Sequence, residues 1–297
     1  MTGFVFLNKP QGITSFVAAA KLRRIFGEKK AGHTGTLDPM ATGVLPVALG
    51  GATRFIELIS SHDKAYKASF VLGKTTDTLD ITGKTTEEKE VSAKKEDVEN
   101  ILFRFKGKIK QLPPMYSAIK KDGVRLYDLA RKGIEIEREE REITVYSLEL
   151  VSCNEEKNEY TISVSCSSGT YIRSLISDIG EALGCGAVMT ALERTEANSV
   201  KIENCFSFEQ LEKLKEEGRL NEALVSVNSF ISYKKITVSQ AQAKRFSNGG
   251  ELDLERVKQA DKDGFYNVYS PEGVFIGIGE CCRNEGLLKV KRVYVER

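Results

Sequence analysis

One acidic residue, Asp38, stands in a segment otherwise built of Gly, Thr, Pro and small apolar side chains, GHTGTLDPMATGVLPVALG at 32–50. Glycine lets a backbone approach a ligand closely, and Pro39 restricts the turn after the carboxylate. The segment holds no Lys or Arg that could neutralise Asp38. Such a pattern is typical of a reaction centre with a single carboxylate. An isolated Asp-Pro pair, however, usually serves a surface turn, so this interpretation needs support from other segments.

Two tyrosines and one arginine occur where strands end or helices begin. Tyr66 opens the apolar stretch YKASFVLG, while Tyr171 and Arg173 lie in SSGTYIRS, a turn from a strand into a helix. An arginine at such a turn can reach a carboxylate while the neighbouring ring forms a wall. We therefore predict that Arg173 pairs with Asp38 and keeps the acid ionised. Each tyrosine could equally be a core ring with a hydrogen-bonded hydroxyl, and that alternative stays open.

An ionised carboxylate between aromatic faces suits a flat substrate of low charge, such as a nucleobase. Stacking a base on a ring contributes roughly 1–3 kcal/mol, which matches the few kcal/mol needed to flip a base out of its stack. Basic residues outnumber acids at 1–54 and 104–132, and acids outnumber bases at 142–232. This asymmetry is expected where a polyanion docks, although solvated helix faces would give it too. The residues favour a reaction on a base of a nucleic acid without naming it.

Composition describes an ordinary globular protein with room for two domains. The 297 residues are 41% hydrophobic and 29% charged, with a net charge of +2. No apolar run approaches the ~18 residues of a membrane-spanning helix, and the N-terminus does not resemble a secretory signal. The six cysteines form no C-x-x-C pair, so we expect reduced thiols in a cytosolic protein and no zinc site.

Periodicity and turn residues predict the elements that must position these residues. We expect strands near 4–10, 66–73, 141–152 and 159–169, and helices near 15–26, 97–107 and 170–184. Between them, the Asp38 segment reads as a loop, GVLPVALG as a short buried run, TRFIELI as a helix and 74–97 as a polar excursion. A basic stretch with two prolines follows Gly107, and its length favours a functional role. Beyond about Phe230, short alternating strands predict a small β-barrel-like unit.

Five ordered segments resemble the successive motifs of bacterial tRNA pseudouridine-55 synthases, the TruB family. They cover about residues 4–195 and comprise Lys9-Pro10 with Gly12, GHTGTLDPMATGVLPVALG, Tyr66 with VLGKTTDTLD, PPMYSAIKKDGVRLYDLARKG and SSGTYIRSLISDIG. The resemblance implies an α+β fold whose mixed, mainly antiparallel sheet is flanked by helices and loops. It implies a catalytic domain at 1–232 with an RNA-clamping thumb insertion at about 108–141, and a PUA-like RNA-binding domain at 233–297.

The resemblance also implies an activity, the isomerisation of uridine 55 in the T-loop of tRNA to pseudouridine without a cofactor or metal. By motif match, Asp38 is the catalytic aspartate and Arg173 its partner. Tyr66 stacks on the flipped base, and the pocket is lined by Tyr171 and Leu192. His33 contacts the RNA and helps to hold the flipped loop open. The implied partner is tRNA at its T-loop and elbow, bound by a cytoplasmic monomer that needs no membrane, partner protein or guide RNA.

The implied mechanism breaks the N1–C1′ bond, rotates the uracil and re-bonds it through C5. Asp38 could attack C1′, attack C6 or remove the C2′ proton, and the sequence leaves these routes open; Tyr66 could assist removal of the C5 proton. The chain departs from the family pattern at Gly51 and Glu193, where an acidic and a basic residue are common. The usual Gly-Pro-Phe-like ending after Arg194 is replaced by EANSV at 196–200.

Three other functions compete with this one. A tRNA-binding chaperone would use the same basic segments and C-terminal unit. A guide-RNA-dependent relative of the archaeal and eukaryotic branch would share the site, but such proteins lack the thumb that 108–141 resembles. A phosphate-cradling loop between Gly32 and Gly43 is disfavoured, because neither G-x-x-x-x-G-K-[ST] nor G-x-G-x-x-G is present.

Overall fold

The computed structural model describes residues 1–117, 119–121, 123–257 and 259–295. The strands in chain order are β1 (Gly3–Lys9), β2 (Ala31–His33), β3 (Thr42–Leu49), β4 (Lys64–Leu72), β5 (Lys74–Thr76), β6 (Thr85–Glu88), β7 (Gly107–Gln111), β8 (Lys120–Lys121), β9 (Val124–Arg125), β10 (Arg141–Asn154), β11 (Glu159–Cys166), β12 (Ala187–Ala197), β13 (Val200–Lys201), β14 (Lys234–Thr237), β15 (Leu252–Asp253), β16 (Gly264–Tyr269), β17 (Phe275–Cys282) and β18 (Leu287–Val293). The α-helices are α1 (Ser15–Ile25), α2 (Lys95–Leu102), α3 (Leu126–Ala130), α4 (Ile172–Ala182), α5 (Phe208–Glu216), α6 (Val227–Phe230) and α7 (Gln240–Ser247).

Most strands in the first two thirds of the chain form a mixed central sheet. Its main path runs β1-β3-β12-β4-β11-β10-β7, with β2 added to β3 and β13 added to β12. The neighbouring strands pair antiparallel except for β3 and β12, which run parallel over a two-residue contact, Thr42 with Glu193 and Gly43 with Arg194. The predicted α+β class with a mainly antiparallel sheet is therefore confirmed.

Amphipathic elements bury one face of this sheet under helices. Strand β4 alternates, so that Tyr66, Ala68, Phe70 and Leu72 share the buried face. Helix α4 covers that face with apolar residues spaced three or four apart, at Ile172, Leu175, Ile176 and Ile179. A second layer packs α1 and α5 against β1 and β3. Helix α4 therefore packs on the face that carries Tyr66, and α1 and α5 pack on the strand that follows the Asp38 loop.

The region around Asp38 contains more regular structure than its sequence indicates. The segment at 32–50 was expected to be a loop followed by a short buried run, but β2 and the eight-residue β3 flank a shorter loop. Almost every side chain of β3 is buried, so the strand shows no alternation, and Pro46 within it cannot donate to the ladder. The helix expected at TRFIELI is a 3-10 helix, Gly50–Leu58.

The basic insertion leaves the sheet between two paired strands. Gln111, the last residue of β7, pairs with Arg141, the first residue of β10, so residues 112–140 form an excursion from one antiparallel pair. The excursion contains β8, β9 and α3; Ala118 and Asp122 lie outside the described residues. This excursion lies within the predicted thumb at about 108–141, and both the thumb assignment and its RNA-clamping role stay predictions.

The last part of the chain forms a second large sheet, while β5 with β6 and β8 with β9 form two small two-stranded sheets. Five strands follow the order β14-β16-β17-β18-β15, and α7 packs on them through Ala243 and Phe246. Aromatic side chains join this sheet to the first one, with Phe275 and Tyr294 against Phe55. The domain boundary at 232/233 and the PUA-like assignment stay predictions. Among the described residues, no helix is both long enough and apolar enough to cross a bilayer.

Candidate active site

Asp38 lies in the loop between β2 and β3, and the segment after β1 holds that loop in place. The amide of Leu37 donates to Ser15 Oγ over 2.8 Å, and Ser15 Oγ donates to Leu37 O over 3.2 Å. The amide of Gly12 donates to Pro39 O, so both flanks of Asp38 are fixed. The carboxylate itself remains 36% exposed. It is therefore rigidly mounted yet accessible.

Arg173 makes the predicted contact with Asp38. Its Nε lies 3.0 Å from Asp38 Oδ2, and its side chain is only 7% exposed. The remaining nitrogens donate to Thr78 O over 2.9 Å and to Tyr116 O over 2.8 Å. A guanidinium offers donors in a fixed fork, so these contacts set the direction from which it meets the carboxylate. Arg173 thus ties Asp38 to the loop after β5 and to the insertion.

A second carboxylate, Asp80, reaches the same guanidinium. Its Oδ2 lies 3.6 Å from Arg173 Nη1, and the side chain is 7% exposed. The Thr78 hydroxyl donates to Asp80 Oδ1 over 2.9 Å, and the amide of Thr82 donates to it over 3.0 Å. Asp80 is the last residue of the VLGKTTDTLD motif, but no role was predicted for it, because the Thr- and Lys-rich stretch after 73 reads as solvent-exposed. The motif marks the segment, and the tertiary contact with Arg173 identifies Asp80 within it as part of the site.

Tyr66 and Tyr171 lie within the electrostatic influence of Asp38. Burial raises the pKa of Tyr66 to about 12; the Arg194 guanidinium acts in the opposite direction, and Asp38 adds to the rise. Burial also raises the pKa of Tyr171. The backbone of Tyr171 is clamped by the Gln111 amide, which donates to Tyr171 O over 3.0 Å and accepts from Tyr171 N over 2.8 Å. The structure therefore brings both predicted rings to the Asp38 region.

Leu192 and His33 complete the predicted set. Leu192 on β12 pairs with Ala68 and belongs to the apolar cluster that contains Leu37 and Tyr66. His33 ends β2, and its buried Nδ1 has no hydrogen-bond partner in the described part of the protein. Burial, assisted by Arg194, lowers the pKa of His33. Leu192 thus belongs to the same apolar cluster as Tyr66, while His33 lies at the start of the loop that carries Asp38.

Lys9 is a buried cation under the same loop. Its Nζ donates to Pro10 O and Ile13 O, each over 2.9 Å, and so shapes the turn that contacts Pro39. Burial lowers the pKa of Lys9 to about 8, against the attraction of Asp38. Within the ranges that the structure describes, no group of three or more His, Cys, Asp or Glu side chains is placed to hold a metal ion.

Three family descriptions match consecutive parts of the chain. Residues 23–172 match the N-terminal domain of TruB family pseudouridylate synthase, and residues 173–232 match the tRNA pseudouridylate synthase B C-terminal domain. Residues 235–294 match the C-terminal part of pseudouridine synthase II TruB. The chain is also 42% identical to tRNA pseudouridine synthase B of Clostridium perfringens (strain 13 / Type A) over the whole of both chains. It is 43% identical to that of Clostridium tetani, covering 98% of this chain and 99% of the relative.

Solved structures agree with this relationship. The fold is similar to one in a Cbf5–Nop10–Gar1 complex, with a TM-score of 0.76, 25% identity and coverage of 99% of this chain and 85% of the other. It is also similar to a chain of an H/ACA RNP bound to a substrate RNA containing 2′-deoxyuridine, with a TM-score of 0.74 and 25% identity over 99% and 86%. With the family matches, the full-length relatives and the shared fold, the chain belongs to the TruB family of pseudouridylate synthases.

Proposed function

We propose that this enzyme converts uridine 55 in the T-loop of tRNA to pseudouridine, with Asp38 as the catalytic carboxylate. The observation that carries the proposal is the accessible Asp38 carboxylate held by the buried guanidinium of Arg173. Full-length relatives named tRNA pseudouridine synthase B support tRNA as the substrate. The carboxylate, the aromatic rings and the apolar wall give the site the chemistry that a nucleobase needs.

The proposed reaction conserves all atoms of the nucleotide. The N1–C1′ bond breaks, the uracil rotates, and a C5–C1′ bond forms; C5 then loses a proton and N1 gains one. Asp38 would act by attack at C1′, by attack at C6 or by removal of the C2′ proton. Tyr66 would stack on the flipped base and could assist removal of the C5 proton. A phenol is neutral at neutral pH, and burial raises the pKa of Tyr66 further to about 12, so its hydroxyl would assist through a hydrogen bond and not as a phenolate base.

The other predicted residues would shape access to Asp38. Tyr171 and Leu192 would form the walls of the base pocket, and His33 would help to hold the T-loop open. The insertion at 108–141 would act as the thumb, since Tyr116 within it receives a hydrogen bond from Arg173. A base must leave its stack to enter, which costs a few kcal/mol, and ring stacking in the pocket offsets that cost.

We also propose a division of labour along the chain. Residues 1–232 would form the catalytic domain, and 233–297 would form a PUA-like domain that adds contacts to the tRNA. The enzyme would act as a monomer without guide RNA or partner protein. The test is pseudouridine mapping on a tRNA transcript incubated with the pure protein alone. We expect signal at position 55 and none in a transcript with cytidine there; a signal elsewhere, or none, would overturn the substrate assignment.

Asp38→Asn tests the chemistry separately from binding. The amide keeps the shape of the side chain but removes the carboxylate, so tritium release from C5-labelled tRNA should fall to background while tRNA affinity stays within about 3-fold. The matched control is Glu212→Gln, which makes the same chemical change at an exposed acid on α5. Product formation by Asp38→Asn at the wild-type rate would contradict the catalytic assignment and favour a tRNA-binding chaperone.

A further inference from the structure

Arg194 is a fully buried arginine whose guanidinium contacts backbone carbonyls. Its relative exposure is 0%. Nε donates to Val44 O over 2.7 Å, Nη1 to Thr36 O over 3.3 Å and Nη2 to Gly35 O over 3.2 Å. Burying a guanidinium is unfavourable unless its donors are satisfied, so the positions of these carbonyls and of the arginine are mutually dependent. Two of the three carbonyls belong to the loop that carries Asp38.

The contacts bridge a narrow junction in the central sheet. Strand β12 pairs with β4 over most of its length but meets β3 only at Thr42–Glu193 and Gly43–Arg194. At Gly43, φ is +101°, and a Cβ there would lie 2.2 Å from Arg194 O, so the two backbones are as close as glycine permits. The Arg194 side chain reinforces this junction from the side that faces the Asp38 loop.

Arg194 also stands beside the ring proposed to stack on the base. In the antiparallel register of β4 and β12, Arg194 is directly opposite Tyr66. Its charge favours ionisation of the Tyr66 hydroxyl, and it disfavours the protonated forms of His33 and Lys9. One buried cation therefore touches the Asp38 loop with its guanidinium and the pocket wall through its strand.

Loops without regular structure keep their conformation through such side-chain contacts. Between His33 and Thr42 the loop is held on one side by Ser15 and Gly12, and on the other by Arg194. A catalytic group displaced by about 1 Å can lose roughly 10²-fold in rate, even when the altered residue lies away from the reacting atoms. The contacts that Arg194 makes with the Asp38 loop can therefore control the rate of the reaction.

We propose that Arg194 is a positioning residue of the pseudouridine synthase reaction, which fixes the Asp38 loop relative to the ring of Tyr66. The proposal rests on Asp38 being the catalytic carboxylate. Arg194 would not touch the substrate; it would act through the carbonyls of Gly35 and Thr36 and through Tyr66, which it adjoins by strand register and by its guanidinium.

The experiment uses the full chain carrying Arg194→Met or Arg194→Lys. Methionine fills much of the space without donors, and lysine keeps the charge but loses the planar fork. Single-turnover assays on tRNA are run at a temperature well below the melting temperature of each protein variant. We expect the rate of pseudouridine formation to fall about 10²-fold for Arg194→Met. For Arg194→Lys we expect a smaller fall, about 10-fold. The Kd for tRNA should stay within about 3-fold, because no contact with RNA is removed.

Asn267→Ala is the control for a general loss of stability. It removes another buried donor to a backbone carbonyl, Asn267 Nδ2 to Ile231 O at 2.7 Å, but in the second sheet. The control should lower the melting temperature and leave the single-turnover rate within about 2-fold. A rate loss for Arg194→Met no larger than that of the control would overturn the proposal. If Arg194→Met does not fold, Arg194→Lys decides, and a wild-type rate for it overturns the proposal equally.

The Asp38→Asn assay separates the two possible failures. An active Asp38→Asn enzyme would remove the catalytic assignment and this inference with it. An inactive Asp38→Asn enzyme combined with normal Arg194 variants would leave the catalytic assignment intact and reject only the positioning role.

Discussion

Lys9 shows how a single buried charge couples the fold beneath Asp38 to pH. Its ammonium group is 0% exposed and donates to Pro10 O and Ile13 O. Burial lowers its pKa from 10.5 to about 8, so between these values the unfolded chain binds more protons than the folded one. Stability rises with pH wherever the unfolded state holds more protons. The contribution of Lys9 to stability should therefore increase from about pH 8 to about pH 10.5.

Urea unfolding of the wild type and Lys9→Met across pH 6–10.5 tests the pH dependence of the contribution of Lys9 to stability. The variant loses both hydrogen bonds at every pH, so only the pH dependence of the difference in unfolding free energy reports the titration. We expect that difference to be flat below about pH 7 and to rise by about 1–3 kcal/mol towards pH 10.5. A difference that stays constant over the whole range would show that the pKa of Lys9 is not lowered by folding.

For single residues, the sequence predicted contacts better than it predicted burial. Arg173 could be paired with Asp38 because a strand-to-helix turn aims a side chain, and the contact is present at 3.0 Å. Asp80 and Arg194 could not be found in the same way, since a charged residue in a polar stretch or a strand reads as exposed. Their burial depends on partners distant in the chain, which a local pattern does not contain. The catalytic and binding roles of the predicted residues stay predictions.

Among the elements, the turn between β12 and β13 does more than reverse the chain. Asn198 there has φ of +55° and is 5% exposed. Its Oδ1 accepts from the Thr34 hydroxyl over 2.7 Å, and its Nδ2 donates to Ser61 O over 2.7 Å. This turn lies in the segment where the chain departs from the Gly-Pro-Phe-like family ending. An asparagine tolerates the left-handed backbone and adds two bonds that a glycine would lack.

Asn198→Gly should lower the unfolding free energy by about 1–2 kcal/mol, because it leaves the Ser61 carbonyl and Thr34 hydroxyl without their partner. The backbone conformation is preserved, since glycine adopts positive φ freely. The matched control is Asn158→Gly at φ +54°, where no side-chain bond is recorded within the described residues. Both variants gain the same unfolded-chain entropy, so that effect cancels. Equal urea midpoints for the two variants would show that the hydrogen bonds of Asn198 to Thr34 and Ser61 do not stabilise the fold.

Element prediction succeeded where one face is buried and failed where both are. The alternation in β4 and the three- and four-residue spacing in α4 match the structure. Strand β3 was not recognised, because its side chains are buried on both faces and Pro46 argues against a ladder position. The left-handed turn at Gly50, φ +58°, starts a 3-10 helix where an α-helix was expected. Whether these residues form a strand or a 3-10 helix depends on the elements that pack against them, which are distant in the chain.

Across the whole molecule, an aromatic cluster joins the two sheets. Phe275 lies 6.4 Å from Phe55, 5.6 Å from Tyr269 and 5.3 Å from Tyr294, measured between ring centroids. Phe55 belongs to the 3-10 helix after β3, and Phe275 opens β17. Composition and turn spacing predicted a separate C-terminal unit of short strands, but this packing required contacts between segments some 200 residues apart, which no local pattern reveals.

Phe275→Ala tests how strongly this cluster supports the molecule. The ring is 7% exposed, and truncating a buried Phe removes apolar burial and leaves a cavity, so the unfolding free energy should fall by about 3–5 kcal/mol. Val274→Ala is the matched control, because the adjacent side chain is 55% exposed and should change stability by less than about 0.5 kcal/mol. The single-turnover rate on tRNA at low temperature should stay within about 2-fold for both variants, since Asp38 lies in a loop of the first sheet and Arg173 lies in α4, which packs on that sheet. Equal urea midpoints for the two variants would mean that the sheets are joined elsewhere, whereas a rate loss of 10-fold or more in folded Phe275→Ala would mean that the C-terminal sheet positions the catalytic loop.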